Sequence, residues 1–153
     1  MLTGVLLAAA LVGNGVTAGI MLSTVIGIVP LIDRLPYERY VRTIQFLWPR
    51  YDPFMPITHG LTMLLDLALV VLDGDPARRA LCGTAGAVLL VVMTISVLKN
   101  VPINRFVMAQ DPQSPPAGWP RSDPRSRWRG WNRLRTGLAL LALVVNAAAV
   151  TVG

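Results

Sequence analysis

The chain of 153 residues contains one cysteine, one histidine and one lysine, with only eight acidic side chains. A lone cysteine closes no internal disulfide, and without a C-x-x-C pair there is no couple for thiol exchange. Cys82, at the start of an apolar run, reads as a packing residue. One histidine and scattered carboxylates make no ligand set for zinc or iron. There is no G-x-G-x-x-G, no Walker loop and no histidine pair for a haem. No metal and no cofactor are therefore expected. Nor does any basic residue precede Arg34. A secretory leader needs positive charge ahead of its apolar run, so Val16-Thr17-Ala18, although loosely like a cleavage site, is expected to stay in place.

Apolar side chains are abundant instead. They make up 54% of the residues, with a mean hydropathy of +0.56. They gather into four stretches, about 3–29, 54–72, 80–98 and 134–152. Each approaches the ~20 residues that carry a helix across a ~30 Å hydrocarbon core. A soluble bundle would show polar residues at helical spacing, yet Val88 to Val97 offers only Thr94 and Ser96. Lipid leaves backbone groups no outside partner, and the stretches are too long and unalternating for barrel strands. The expected fold is all-α: an integral membrane four-helix bundle forming a single membrane domain over 1–153.

The net charge is +6, but where the charges lie matters more than their sum. Arg34, Arg39, Arg42 and Arg50 lie in the first connection, and only Arg78 and Arg79 in the second. The third holds Lys99, Arg105, Arg121, Arg125, Arg127, Arg129, Arg133 and Arg135. The positive-inside rule puts the first and third connections in the cytoplasm and both termini outside, in an inner (plasma) membrane. The basic excess thus reads as topology and contact with lipid headgroups; membrane lipid is an expected partner and nucleic acid is not. The dominance of arginine over lysine points to a GC-rich bacterial genome.

The connections carry their own patterns. Leu31, Leu35, Tyr40, Ile44, Phe46, Leu47 and Trp48 alternate with charge, predicting a short interfacial helix in connection one. Asp73-Gly74-Asp75-Pro76 is a tight turn. Connection three breaks at Pro112, Pro115, Pro116, Pro120 and Pro124, then resumes as a basic-aromatic helix before the fourth span. There Arg125, Arg129 and Arg133 form a stripe suited to lipid phosphates. Gly15 and Gly19 form a G-x-x-x-G, echoed by Gly83 and Ala87; such faces pack within one bundle or join a homo-oligomer.

Polar groups inside a membrane need partners. Asp66 lies mid-span, at nearly the depth of Asn146, with Asn14 somewhat deeper. A structural clamp and a proton-handling role are both open for it. His59 shares a helical face with Thr62 and Asp66, about 10 Å from the carboxyl along the helix. It is either a packing residue or a general base, since imidazole takes protons near neutral pH.

The most specific text is Leu98-Lys99-Asn100-Val101-Pro102-Ile103-Asn104-Arg105, followed by Trp119 and by Arg127-Trp128-Arg129-Gly130-Trp131-Asn132-Arg133-Leu134-Arg135-Thr136. From the residues alone, Pro102 would bend or end its helix, freeing carbonyls for Asn100 and Asn104. Trp128, Trp131, Asn132 and Arg135 fall on one face. With the small-residue first span, these motifs resemble the anthrone-oxygenase-like family of small four-helix membrane proteins. The resemblance implies oxidation of an apolar aromatic substrate, an anthrone-like polyketide, by O2 without an evident metal or flavin. It implies His59 as the base, assisted by Asp66. It also implies Asn100, Asn104, Asn132 and Arg135 as stabilisers of the resulting anion, with Trp128 and Trp131 at the substrate. The competing reading is a non-catalytic membrane module binding anionic lipid or a partner protein; a bundle lacking a cavity at His59 would favour it. A transporter is less supported, for want of inverted repeats or broken helices.

Overall fold

The computed structural model describes residues 1–152. Four helical rods run Leu2–Arg34, Tyr37–Leu72, Pro76–Met108 and Trp119–Thr151, each long and apolar enough to cross a membrane. Among the described residues there is no strand. At ~1.5 Å per residue each rod reaches about 50 Å, roughly 20 Å more than hydrocarbon requires. The surplus projects at the arginine-rich end, opposite the Asp73–Asp75 hairpin.

The first rod joins α1 (Leu2–Ser23) to α2 (Val29–Arg34) through a π-helical turn at Thr24–Ile28. The second joins α3 (Tyr37–Tyr51) to α4 (Phe54–Leu72) across Asp52 and Pro53. The third joins α5 (Pro76–Ile95) to α6 (Val101–Met108) through a second π-helical turn at Ser96–Asn100. The short α7 (Trp119–Ser122) precedes α8 (Arg125–Thr151), so the basic-aromatic stretch forms the opening turns of the last spanning helix.

Pro102 does not end its helix. A proline lacks the N–H of the ladder, and its ring collides with the carbonyl four residues back. Here the Val101 N–H reaches back five residues to the Ser96 carbonyl, and the widened turn lets the chain pass the proline. The same solution precedes Pro30, where the Val29 N–H reaches the Thr24 carbonyl.

The hairpin end is tied by Asp75, whose carboxylate accepts from the N–H groups of Ala77 (2.8 Å) and Arg78 (3.1 Å) to cap α5. Arg78 also pairs with Asp73 at 3.3 Å. Helices α1 and α5 each pack against α4 and α8, which closes a ring of four. The tightest glycine crossing is not the G-x-x-x-G. Gly19 faces open space and Gly15 meets only Leu143 at 3.8 Å, whereas a Cβ on Gly13 would lie 2.6 Å from Thr62 Oγ1. A Cβ on Gly86 would lie 3.3 Å from the Cβ of Asp66. Thr62 is buried, and its hydroxyl already donates to the Thr58 carbonyl at 2.9 Å. Gly13→Ala is therefore expected to lower stability by about 1–3 kcal/mol, the usual range for overpacking. Gly19→Ala should be near neutral. Thermal unfolding in detergent checks the pair, and equal melting would disprove the crossing.

The arginine-rich end is closed. Val29, Ile32, Tyr40, Val41, Val107, Trp119 and Trp128 pack into one buried cluster. The Trp119 ring meets Tyr37 edge-on at 4.7 Å and stacks on Phe106 at 6.3 Å. Gln45 Nε2 donates to the carbonyls of Met108 (3.3 Å) and Gln110 (2.9 Å), strapping the following loop across this end. Tyr37 Oη donates to the Asp111 carbonyl at 2.8 Å. Most of the stripe expected to meet lipid is used internally. Arg125 donates to the carbonyls of Ile32 (3.0 Å) and Leu35 (2.8 Å) and pairs with Asp123. Arg129 pairs with Asp33, and Arg133 alone is exposed. The physical reason is that the last carbonyls of a helix lack partners, and a guanidinium from a neighbour supplies them.

Candidate functional site

Beneath that cap lies a cavity of about 150 Å3 bordered by all four rods. Both π-helical turns contribute to its wall, through Thr24 and Ile28 on one side and Ser96, Val97 and Asn100 on the other. π-turns inside α-helices commonly mark functional sites. Part of the lining is apolar and adaptable, formed by Ile20, Met21, Trp48, Met55 and Met93. A polar part is formed by His59, Ser96, Asn100, Asn104, Trp128 and Arg135.

The histidine tautomer follows from its neighbour. His59 Nδ1 lies 3.0 Å from the Met55 carbonyl, an obligate acceptor, so Nδ1 carries the hydrogen. Nε2 is left with its lone pair and has no protein partner. Arg135 is held differently. Its Nε and Nη2 donate to Asn132 Oδ1 at 3.0 and 2.7 Å, and its Nη1 donates to Ser96 Oγ at 3.0 Å. Both acceptors are neutral, and none of the ion pairs among the described residues includes Arg135. A guanidinium positioned by neutral groups keeps its charge available to an anionic guest.

Residues 47–145, more than half of the chain, match the family model described as anthrone oxygenase. The chain belongs to the anthrone oxygenase family. No curated protein and no solved structure matches it. The matched span holds this polar part of the lining, while the wall supplied by α1 lies outside it.

Further buried polar atoms in and behind this wall lack protein partners: both side-chain amide atoms of Asn100, Trp128 Nε1 and Asn132 Nδ2. An unmet buried donor or acceptor costs about 1–3 kcal/mol. With His59 Nε2, the Asn100 and Trp128 atoms make four at the cavity wall, with Asn132 Nδ2 behind Arg135, and they suit a wall built to meet a polar guest. Asn104 is also buried there. Among the described residues no His, Cys, Asp and Glu cluster could hold a metal ion.

Of the residues singled out in the sequence, the structure brings His59, Asn100, Asn104, Trp128 and Arg135 to one cavity. Asn132 sits behind Arg135 as its support. Asp66 is not in the wall: it is fully buried further along α4, facing Asn146. Neither of its oxygens meets hydrogen-bond geometry, and Asn14 is likewise unpartnered. Trp131 is also outside the cavity, its ring 5.3 Å from the Lys99 ammonium. Sequence reasoning missed Ser96, the three methionines and both π-turns. A visible signal existed for the turns: Thr24-Val25-Ile26 then Val29-Pro30-Leu31 parallels Ser96-Val97-Leu98 then Val101-Pro102-Ile103.

Proposed function

We propose that this member of the anthrone oxygenase family oxidises an apolar, hydroxylated aromatic substrate of anthrone type, using O2 and no cofactor. The observation that carries the reading is that the free Nε2 of His59 and the carboxylate-free guanidinium of Arg135 border the same cavity. A methylene flanked by aromatic rings and conjugated to a carbonyl is acidic, because its anion delocalises onto oxygen. His59 Nε2 takes that proton. Arg135, with the amides of Asn100 and Asn104 and the Trp128 N–H, stabilises the oxygen that gains charge. Asn132 acts through Arg135 by positioning it. Asp66 lies about 10 Å along α4 from His59 and stays out of the reaction.

The anion is electron-rich enough to reduce O2 directly. One electron passes to O2, and collapse of the radical pair forms the C–O bond of a hydroperoxide, which the His59 imidazolium protonates. Removal of the remaining hydrogen on that carbon, with cleavage of O–O and loss of water, leaves a carbonyl. One O2 is consumed and one water released per methylene converted to a ketone.

The arginine-rich end faces the cytoplasm in this reading, by the positive-inside rule, and both termini lie outside. A cavity at His59 supports this reading over a purely lipid-binding module. The test is oxygen uptake by the protein in nanodiscs without added metal or flavin, on presentation of a simple anthrone. Uptake above the spontaneous rate, insensitive to a chelator and equal to the quinone formed, is expected. Uptake no faster than in empty nanodiscs overturns the proposal.

A further inference from the structure

We propose that the cavity takes its ligand sideways from the bilayer, enclosing one oxygenated aromatic ring while a neutral apolar remainder stays in lipid beyond Pro56 and Val97. The inference rests on the reading of the cavity as a binding site and adds its route and the shape of its ligand.

The first argument is closure. The arginine-rich end is sealed by the Trp119 cluster and by the loop that Gln45 and Tyr37 hold across it. The α8 wall is formed by Trp128 and Arg135, with Trp128 buried. Among the lining residues the exposed ones are Asp52 and Pro56 on the second rod and Val97 on the third, which is 56% exposed. These mark the rim.

The second argument is depth. Asp73, Asp75, Arg78 and Arg79 hold the hairpin at a headgroup surface, since hydrocarbon does not accommodate them. Counting along the helices, Pro56 and Val97 lie about 25 and 33 Å from that hairpin. A ~30 Å core ends between them. The rim therefore opens at the boundary between acyl chains and headgroups.

The third argument is size. About 150 Å3 is the volume that takes up a benzene-sized guest in an engineered apolar cavity. A fused three-ring substrate exceeds it, so part of such a molecule must pass the rim. What passes meets hydrocarbon, and the Asp52 carboxylate beside it disfavours an anionic extension.

Trp48 and Trp128 line the cavity and report on a quinone ring by fluorescence quenching. The probes are a decyl-substituted benzoquinone and a sulfonated benzoquinone without a chain, added to protein in nanodiscs. Quenching by the decyl compound is expected to follow its mole fraction in lipid, with little quenching by the sulfonated one. Val97→Phe, at an exposed position, should leave the melting temperature unchanged and slow association of the decyl compound at least about tenfold. Equal access of both probes, or an unchanged rate in Val97→Phe, overturns the lateral route while leaving the binding site standing. Quenching by neither probe removes the binding site and the route with it; oxygen uptake, measured separately, tests the chemistry.

Discussion

His59→Ala is expected to reduce anthrone oxidation by a factor of about 10²–10⁴, the range general bases supply. The remaining rate should be the spontaneous one. The effect is large because the bundle offers no substitute. Among the described residues His59 is the only imidazole, and the one carboxylate at the cavity, Asp52, stands at its rim. The hydrogen bond from Nδ1 to the Met55 carbonyl leaves Nε2 with its lone pair, so the proposed base needs no change of tautomer. Alanine leaves the backbone of α4 intact, and quinone binding should change little. A variant that folds, binds and still turns over at the wild-type rate would show that the proton leaves by another route.

Arg135→Gln should reduce kcat by about 10²–10³, comparable to losing a principal donor to a developing oxyanion. The loss belongs to charge more than to shape. Glutamine can still donate toward Ser96 or Asn132, but it gives the anion nothing to balance. Arg135→Lys separates the two contributions. It keeps a positive charge but loses the fork that engages Asn132 and Ser96 together, so an intermediate rate is expected. Single-turnover kinetics with the substrate anion followed by absorbance checks the series. Equal rates for all three would place the anion elsewhere in the cavity.

The spanning segments were legible because hydrocarbon imposes a simple demand, about 20 apolar residues in sequence. Their continuation was less so. Val29–Arg34 and Val101–Met108 carry charge and a proline each, which in sequence reads as the end of a helix. The π-turns that carry the helices past Pro30 and Pro102 depend on a shift in hydrogen-bond partner, and composition does not reveal it. Burial of Asp66 was readable from its depth, but not its separation from the cavity. Matching depth points to Asn146 as its neighbour, while spacing along α4 puts it on the face of His59, and only the packed helices show that the pair lies apart from the cavity. The same limit separates Trp128 from Trp131, three residues apart on α8. One closes the cavity and the other lies beside Lys99 outside it. Gly13 and Gly15 differ in function for the same reason, since only the packed partner shows which glycine is crossed.

The contacts of Arg125 with Ile32 and Leu35 bear on how the protein is made. The Leu35 carbonyl at the end of the first rod receives its donor, and the Ile32 carbonyl a second one beside the Leu35 N–H, from a residue about 90 positions later in the chain. At roughly 5–20 residues per second, the ribosome leaves them unmet by that donor for about 5–18 s. During that interval the first hairpin sits in the membrane with one end waiting. The nascent bundle is locked only when the last rod arrives, and a chain released before residue 125 never acquires that lock.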